Sequence, residues 1–286
     1  MDTIVADRRG ASDVAAPLEI GSVALAVRDI ERVAAFYRSA LGLAPVAQSG
    51  DTVALGAGGT AFLTLQHRPD MKPGDRASAG LFHVAYLLPN RVDLGRWLRH
   101  AGRSGLSLDG AADHLVSEAV YLHDPEGNGI EVYVDRPRVE WNWQGGQVMM
   151  ANDRLHIIGL QALAQEDWAG APHGTRIGHV HLQVGAIPAA EEFYAGILGF
   201  DVTRRWPQAS FMSTGGYHHH IAANTWNSAG AGARDPDRAG LASVTLRAAS
   251  PSIVAAIAGR AGGEAQGLRD PWGTTIHVIS QEGSVS

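Results

Sequence analysis

The chain has 286 residues, a formal net charge of −6 and 45% apolar residues, with 13 histidines and no cysteine. That length allows two ordinary domains, and the missing cysteines exclude disulfides and thiolate metal sites, leaving His, Asp and Glu as metal-binding side chains. No apolar run approaches the ~20 residues of a membrane span, the first 18 residues hold no signal-peptide core, and the acidic balance offers nucleic acid no attraction, so a cytoplasmic globular protein is expected.

Residues 1–19 read as a loose polar arm. A strand then begins at Ile20 (IGSVALAV), followed by VRDIERVAAFYRSALGL from Val27, an amphipathic helix ended by Gly42. LFHVAYLLPNRVDLGRWLRHAG from Leu81 repeats the strand-then-helix order, and DPEGNGIEVY from Asp124 is a turn built on Asp-Pro-x-Gly leading into a strand. Residues 137–176, with Trp141 and Trp143, are too apolar for a free linker and are expected to pack against the rest. The strand–helix pattern returns in IGHVHLQV from Ile177 and VGAIPAAEEFYAGILGF from Val184. GGYHHHIAAN, Gly215 to Asn224, reads as a strand, with His219 on one face and His218 and His220 on the other. LASVTLRAASPSIVAAIAGRAGG from Leu241 and DPWGTTIHVI from Asp270 close the series.

The chain therefore repeats itself. Phe36-Tyr37 and Leu41-Gly42 recur as Phe193-Tyr194 and Leu198-Gly199, an offset of 157, and the Asp-Pro-x-Gly turn recurs at an offset of 146. Four modules of one strand, one helix and further strands result, at about 20–67, 81–136, 177–226 and 240–281.

Aligned, the third column of the first strands reads Ser22, His83, His179 and Ser243. The last strands offer Leu63 or a neighbour, Glu131, a residue of the triple histidine, and His277. Modules two and three thus supply His83, His179, Glu131 and one further histidine. Two histidines and a carboxylate on one face form the facial triad of non-haem Fe(II) enzymes, which leaves positions open for substrate and O₂. A lone strand histidine is usually an ordinary core or surface residue, but matching columns in two repeats weigh against that here. Alternation puts Glu131 on the face of Tyr133 among apolar neighbours, and a buried carboxylate without a partner costs several kcal/mol. A cation would be that partner.

These motifs resemble the vicinal-oxygen-chelate superfamily of glyoxalases, bleomycin-resistance proteins and extradiol dioxygenases, over nearly all the chain beyond the arm. The resemblance implies an α+β fold of four βαβββ modules forming two incomplete β-barrels. In chain order the domains would be 20–136 and 177–281, with 137–176 bridging them. The phrases HLVSEAVYLHDPEGNGIE and GTRIGHVHLQV are most similar to the catechol 2,3-dioxygenase-like group of type I extradiol dioxygenases. In that group a strand reading HHxIA carries the acid–base histidine at its second position, which makes His219 the candidate, with His218 and His220 facing away or lining the rim. A tyrosine ten residues before the glutamate ligand corresponds to Tyr121, a donor to a substrate oxygen, and His114 corresponds to a substrate-contacting histidine. The ligands would be His83, His179 and Glu131, the cofactor Fe(II) or Mn(II), the partners a catechol-type molecule and O₂, without nucleic acid or membrane, and the assembly a homo-oligomer.

One departure is that better-known two-domain enzymes draw all ligands from their last two modules, where this chain has Ser243 and His277. The triad forms only if modules two and three share a cavity. If modules one and two pair instead, and three with four, His179, His219 and His277 become the alternative set. Two other functions stay open: a glyoxalase-type isomerase or lyase with four ligands (His83, Glu131, His179 and His219), and a metal-free ligand-sequestering protein. Roles for His181, His218, His220, Asn224 and Trp226 are left open, and histidines 67, 100, 123, 156 and 173 read as surface.

Overall fold

The computed structural model describes residues 16–281, so the arm lies outside the described residues up to residue 15. Its last residues are not loose: Ala16 and Leu18 are buried, and Leu18 opens the first strand.

Module one supplies β1 (Leu18–Val27), α1 (Ile30–Ala40), β2 (Ala44–Ser49), β3 (Thr52–Ala57) and β4 (Thr60–His67). Module two supplies β5 (Gly80–Leu87), α2 (Arg91–Arg103), β6 (Gly110–Asp113), β7 (Ser117–His123) and β8 (Gly129–Asp135). The bridging segment forms a small hairpin, β9 (Trp143–Gln144) with β10 (Gln147–Val148), and the short helix α3 (Ile157–Leu163). Its Trp141, Val148, Met150, Leu155 and Leu160 are buried. Module three follows with β11 (Arg176–Gln183), α4 (Ile187–Glu191) continued by a π-helical turn over Glu192–Ile197, β12 (Asp201–Trp206), β13 (Ala209–Ser213) and β14 (Ile221–Asn224). Module four ends the chain with β15 (Gly240–Ala248), α5 (Pro251–Ala261), β16 (Leu268–Arg269) and β17 (Thr275–Ser280).

Two curved sheets result. One runs β16-β17-β15-β1-β4-β3-β2 and the other β12-β13-β14-β11-β5-β8-β7-β6. Modules one and four thus share a sheet, and modules two and three share the other, each centred on an antiparallel pair of first strands, β1 with β15 and β5 with β11. The sheets are assembled across the chain-order division into 20–136 and 177–281. The set His179, His219 and His277 is thereby ruled out: His277 lies on β17 in the other sheet, where Gly267 N–H donates to its Nδ1 at 3.2 Å.

The two repeated motifs explain how successive modules are joined. Tyr37, from the Phe-Tyr pair of α1, donates to Asp124 Oδ2 in the Asp-Pro-x-Gly turn of module two at 3.4 Å. Tyr194 does the same to Asp270 of module four at 2.9 Å. Each aspartate uses its other oxygen to accept turn N–H groups, from Glu126 and Asn128 in one copy and Trp272 and Thr274 in the other. The glycines Gly127 and Gly273 hold φ of +87° and +91°, a left-handed conformation that only glycine adopts without strain. Glu126 also accepts the backbone N–H groups of Arg28 and Asp29 where β1 enters α1. Successive modules are therefore tied helix to turn. Each first strand takes its antiparallel partner from the other half of the chain.

Removing the Tyr194 hydroxyl strands a buried carboxylate oxygen. Tyr194→Phe is expected to lower unfolding free energy by about 1–3 kcal/mol in urea titration, and an unchanged midpoint would show that the link contributes nothing.

Candidate metal centre

Strand register gathers the site. On the antiparallel pair β5–β11, His181 lies opposite His83 and His179 opposite Ala85. On the parallel pair β5–β8, Ala85 lies beside Glu131. Alternation then sends His83, Glu131, His179 and His181 to the inner face of the sheet, while Val84, Ile130, Val132 and Val180 face the apolar core. A side chain on Gly178 would meet the Tyr133 hydroxyl at 1.7 Å, so the Gly-His step in the sequence lets Tyr133 pass behind His179.

His83 Nε2 lies 2.9 Å from Glu131 Oε2, His179 Nε2 lies 3.1 Å from the same oxygen, and the two nitrogens are 3.4 Å apart. All three side chains are buried. They form the group of donor atoms, among the described residues, that lies close enough together to hold one ion. The residues fit a metal on their own geometry. Two imidazole nitrogens converge on one carboxylate oxygen at the wall of a cavity, each from a buried side chain. Burial pushes His179 down to about 4 despite the opposing pull of Glu131, so its imidazole is neutral at pH 7. Burial also works against a charge on Glu131, but the two imidazoles outweigh it and hold the carboxyl well below its usual range. Neutral imidazoles and an ionised carboxylate are the forms that bind divalent metals.

The same register names the fourth corner. Two residues beyond His83, Ala85 is paired with Glu131; two residues beyond His179, His181 is paired with Ala222. In the other sheet the corresponding residues are Thr64 and His277. The last-strand place in module three, expected for a residue of the triple histidine, is therefore an alanine. The reason is local. Gly215 and Gly216, at φ of +64° and +66°, turn the chain, and ladder pairing starts at Ile221. His218 to His220 thus precede the strand, and alternation does not govern them.

All three histidines are buried, and of the two expected placements for His218 and His220, facing away or lining the rim, the structure has them facing away from the cavity. His219 lines the cavity with its ring 4.0 Å from that of His179. His218 sits behind it, its Nδ1 2.8 Å from His219 Nδ1 and its Nε2 2.9 Å from Asp135. His220 points elsewhere and accepts a 3.4 Å bond from Thr214 N–H. Burial pushes both His219 and His220 down, His220 to about 3. Below the unfolded value of 6.5 the unfolded chain binds a proton that folded His220 refuses until about pH 3. Stability is therefore lost as pH falls through that window, by up to about 1.4 kcal/mol per unit. His220→Leu should flatten the slope of unfolding free energy between pH 6 and 4, and an unaltered slope would contradict this.

Tyr121 pairs with Glu131 across β7 and β8 and places its ring 5.6 Å from His83. Its hydroxyl lies 2.6 Å from His114 Nε2, while His114 Nδ1 lies 2.8 Å from the Ala151 carbonyl. The carbonyl can only accept, so His114 carries its hydrogen on Nδ1 and Tyr121 donates to Nε2. Burial and then Glu131's charge keep the phenol well above its usual value, hence protonated. His181 is held by Asn224, whose amide donates to its Nε2 at 3.0 Å, and its ring packs on Phe82 and Trp226.

These residues face a cavity of about 550 Å³ walled by Phe82, Met150, Trp206, Phe211 and Trp226. Met150 comes from the bridging segment, which sequence reasoning places only as packing. Sequence reasoning also misses Asp135, although it continues the alternation Glu131, Tyr133, Asp135 along β8.

A duplicated strand–helix–strand module, curled sheets and three convergent donors define a familiar class. The chain belongs to the Glyoxalase/Bleomycin resistance protein/Dioxygenase superfamily, whose family model matches residues 19–132 and 176–278. It is 38% identical over 228 residues to the catechol-2,3-dioxygenase of Bacillus subtilis (strain 168), covering 78% of this chain and 80% of that one. The solved glyoxalase I of Zea mays shares the fold, with a TM-score of 0.56 and 13% identity over 92% of each chain. A solved Bacillus subtilis structure matches at a TM-score of 0.55 and 14% identity, over 82% of this chain and 71% of that one.

Proposed function

We propose that the protein is an extradiol ring-cleaving dioxygenase that opens a catechol-type ring to a hydroxymuconic semialdehyde type of product. His83, His179 and Glu131 would hold Fe(II), and Mn(II) suits the same donors. The observation that carries this reading is the three-donor set itself, two imidazoles and one carboxylate at the wall of an apolar cavity, with Ala222 where a fourth ligand would stand. The 38% identical relative supports it. A bound Fe(II) would supply open positions for both reactants and acidify a coordinated hydroxyl.

The chain's own residues then have distinct tasks. Phe82, Phe211, Trp206 and Met150 enclose an aromatic ring and exclude water. Tyr121, protonated, turns its hydroxyl from His114 to a substrate oxygen. His219 Nε2 takes the proton that the substrate gives up and returns it when the O–O bond breaks, a role suited to histidine. A four-ligand isomerase site finds less support, because Ala222 cannot ligate and His219 lies outside the convergent donor group.

Anaerobic reconstitution with Fe(II), then catechol and air, tests the reading. A yellow product formed nearly one-to-one with O₂ consumed is expected. A fully metal-loaded protein that consumes no O₂ with catechol or any substituted catechol would overturn it.

A further inference from the structure

A second group of buried polar side chains stands behind His219, and the proposed reaction does not use it directly. It runs from the cavity wall inward: His219, His218, Asp135, Tyr217 and Tyr133. His218 is fully buried, wedged between the rings of Tyr217 at 4.1 Å and Trp141 at 5.3 Å. The Asp135 side chain is 5% exposed. Such a network is stable only if each hydrogen has one owner and one acceptor.

The hydrogens can be assigned one by one. Tyr217's hydroxyl lies 3.1 and 3.0 Å from the two oxygens of Asp135 and donates to the carboxylate. Its one hydrogen is then spent, so Tyr133, 2.8 Å away, donates to the Tyr217 oxygen. His218 Nε2 lies 2.9 Å from Asp135 Oδ1. A carboxylate accepts and does not donate, so in the neutral ring the hydrogen of His218 resides on Nε2 and its Nδ1 is bare. The two Nδ1 atoms of His218 and His219 are 2.8 Å apart and share one hydrogen, which His219 must supply. His219 then has its hydrogen on Nδ1, and Nε2 is the bare nitrogen that lines the cavity.

We propose that Asp135 and His218 are positioning residues that fix the tautomer of His219, holding its hydrogen on Nδ1 and presenting the Nε2 lone pair to the cavity. Its consequence for catalysis rests on the reading of His219 given above. The tautomer itself is a property of the chain and can be tested apart from any reaction. The arrangement also accounts for the paired histidines: the first orients the second, which requires the turn that brings both to one side.

Nitrogen NMR of the full-length chain labelled with ¹⁵N-histidine reads the tautomer directly. The sample is studied metal-free and with diamagnetic Zn(II), and His219 is assigned by its loss in His219→Gln. The expected result is a pyrrole-type Nδ1–H and a pyridine-type Nε2 for His219. Two variants break the chain at different links, His218→Phe and Asp135→Leu. In either, the His219 signals should move toward a mixture of tautomers. A wild-type His219 with its hydrogen on Nε2 would overturn the proposal, as would an unaltered tautomer in both variants. In the Fe(II) enzyme the same variants should keep metal and KM while turnover falls ~10- to 100-fold. A changed tautomer with no ring cleavage by the wild type would sink the functional reading and leave the tautomer assignment standing.

Discussion

Glu131→Gln is expected to lose metal and ring-cleaving activity together while the protein stays folded. The amide keeps the shape of the carboxyl but removes the one negative charge in the donor set, leaving two neutral imidazoles to hold a dication. Among the described residues no other carboxylate joins the convergent donor group, and Ala222 occupies the matching place on β14. The cost to the metal-free fold is small by comparison. The amide oxygen still accepts from one of the two imidazoles, and the net loss of a hydrogen bond is about 1 kcal/mol. Metal content by emission spectrometry after anaerobic reconstitution, beside a thermal melt, measures both halves of the expectation. Retention of one equivalent of iron by Glu131→Gln would remove Glu131 from the centre.

His219→Phe should behave in the opposite way. His219 lies outside the convergent donor group, with its ring against His179 and its Nδ1 committed to His218. Phenylalanine fills the space without a proton to give or take. Iron content should be unchanged, KM for catechol near its original value, and kcat lower by ~10²- to 10⁴-fold, the usual contribution of a placed acid–base group. The melt should drop as well, because His218 Nδ1 is left as a buried acceptor without a donor, at a cost of about 1–3 kcal/mol. Near-normal turnover in this variant would end the acid–base assignment.

Much of this arrangement is legible in the amino-acid sequence, for reasons that can be named. Duplication makes equivalent residues visible: His83 and His179 share a column, and two-residue periodicity puts Glu131 with Tyr133 and His181 with His179 on one face. The four modules follow from the same repeat, and the α+β fold is what the resemblance of the motifs implies. What stays hidden depends on contacts between distant segments. The pairing of first strands, β1 with β15 and β5 with β11, joins segments far apart in the chain, and nothing local to β5 or β11 states it. The triple histidine misleads for a different reason. Alternation applies only within a ladder, and the two left-handed glycines before Tyr217 delay the ladder until Ile221. The bridging segment reads as packing and also lends Met150 to the cavity wall, because its apolar residues are the same ones a substrate ring would touch.

The central claim is that side chains from the second and third modules hold a single metal between them. A crystal of the Fe(II)-reconstituted protein, with diffraction recorded on either side of the iron absorption edge, tests it most directly. The expected result is one anomalous peak bonded to His83 Nε2, His179 Nε2 and a Glu131 oxygen, with Ala222 beside it and His219 unbonded. Iron located elsewhere, or no peak in a crystal of protein shown to carry one equivalent of iron, would contradict the account.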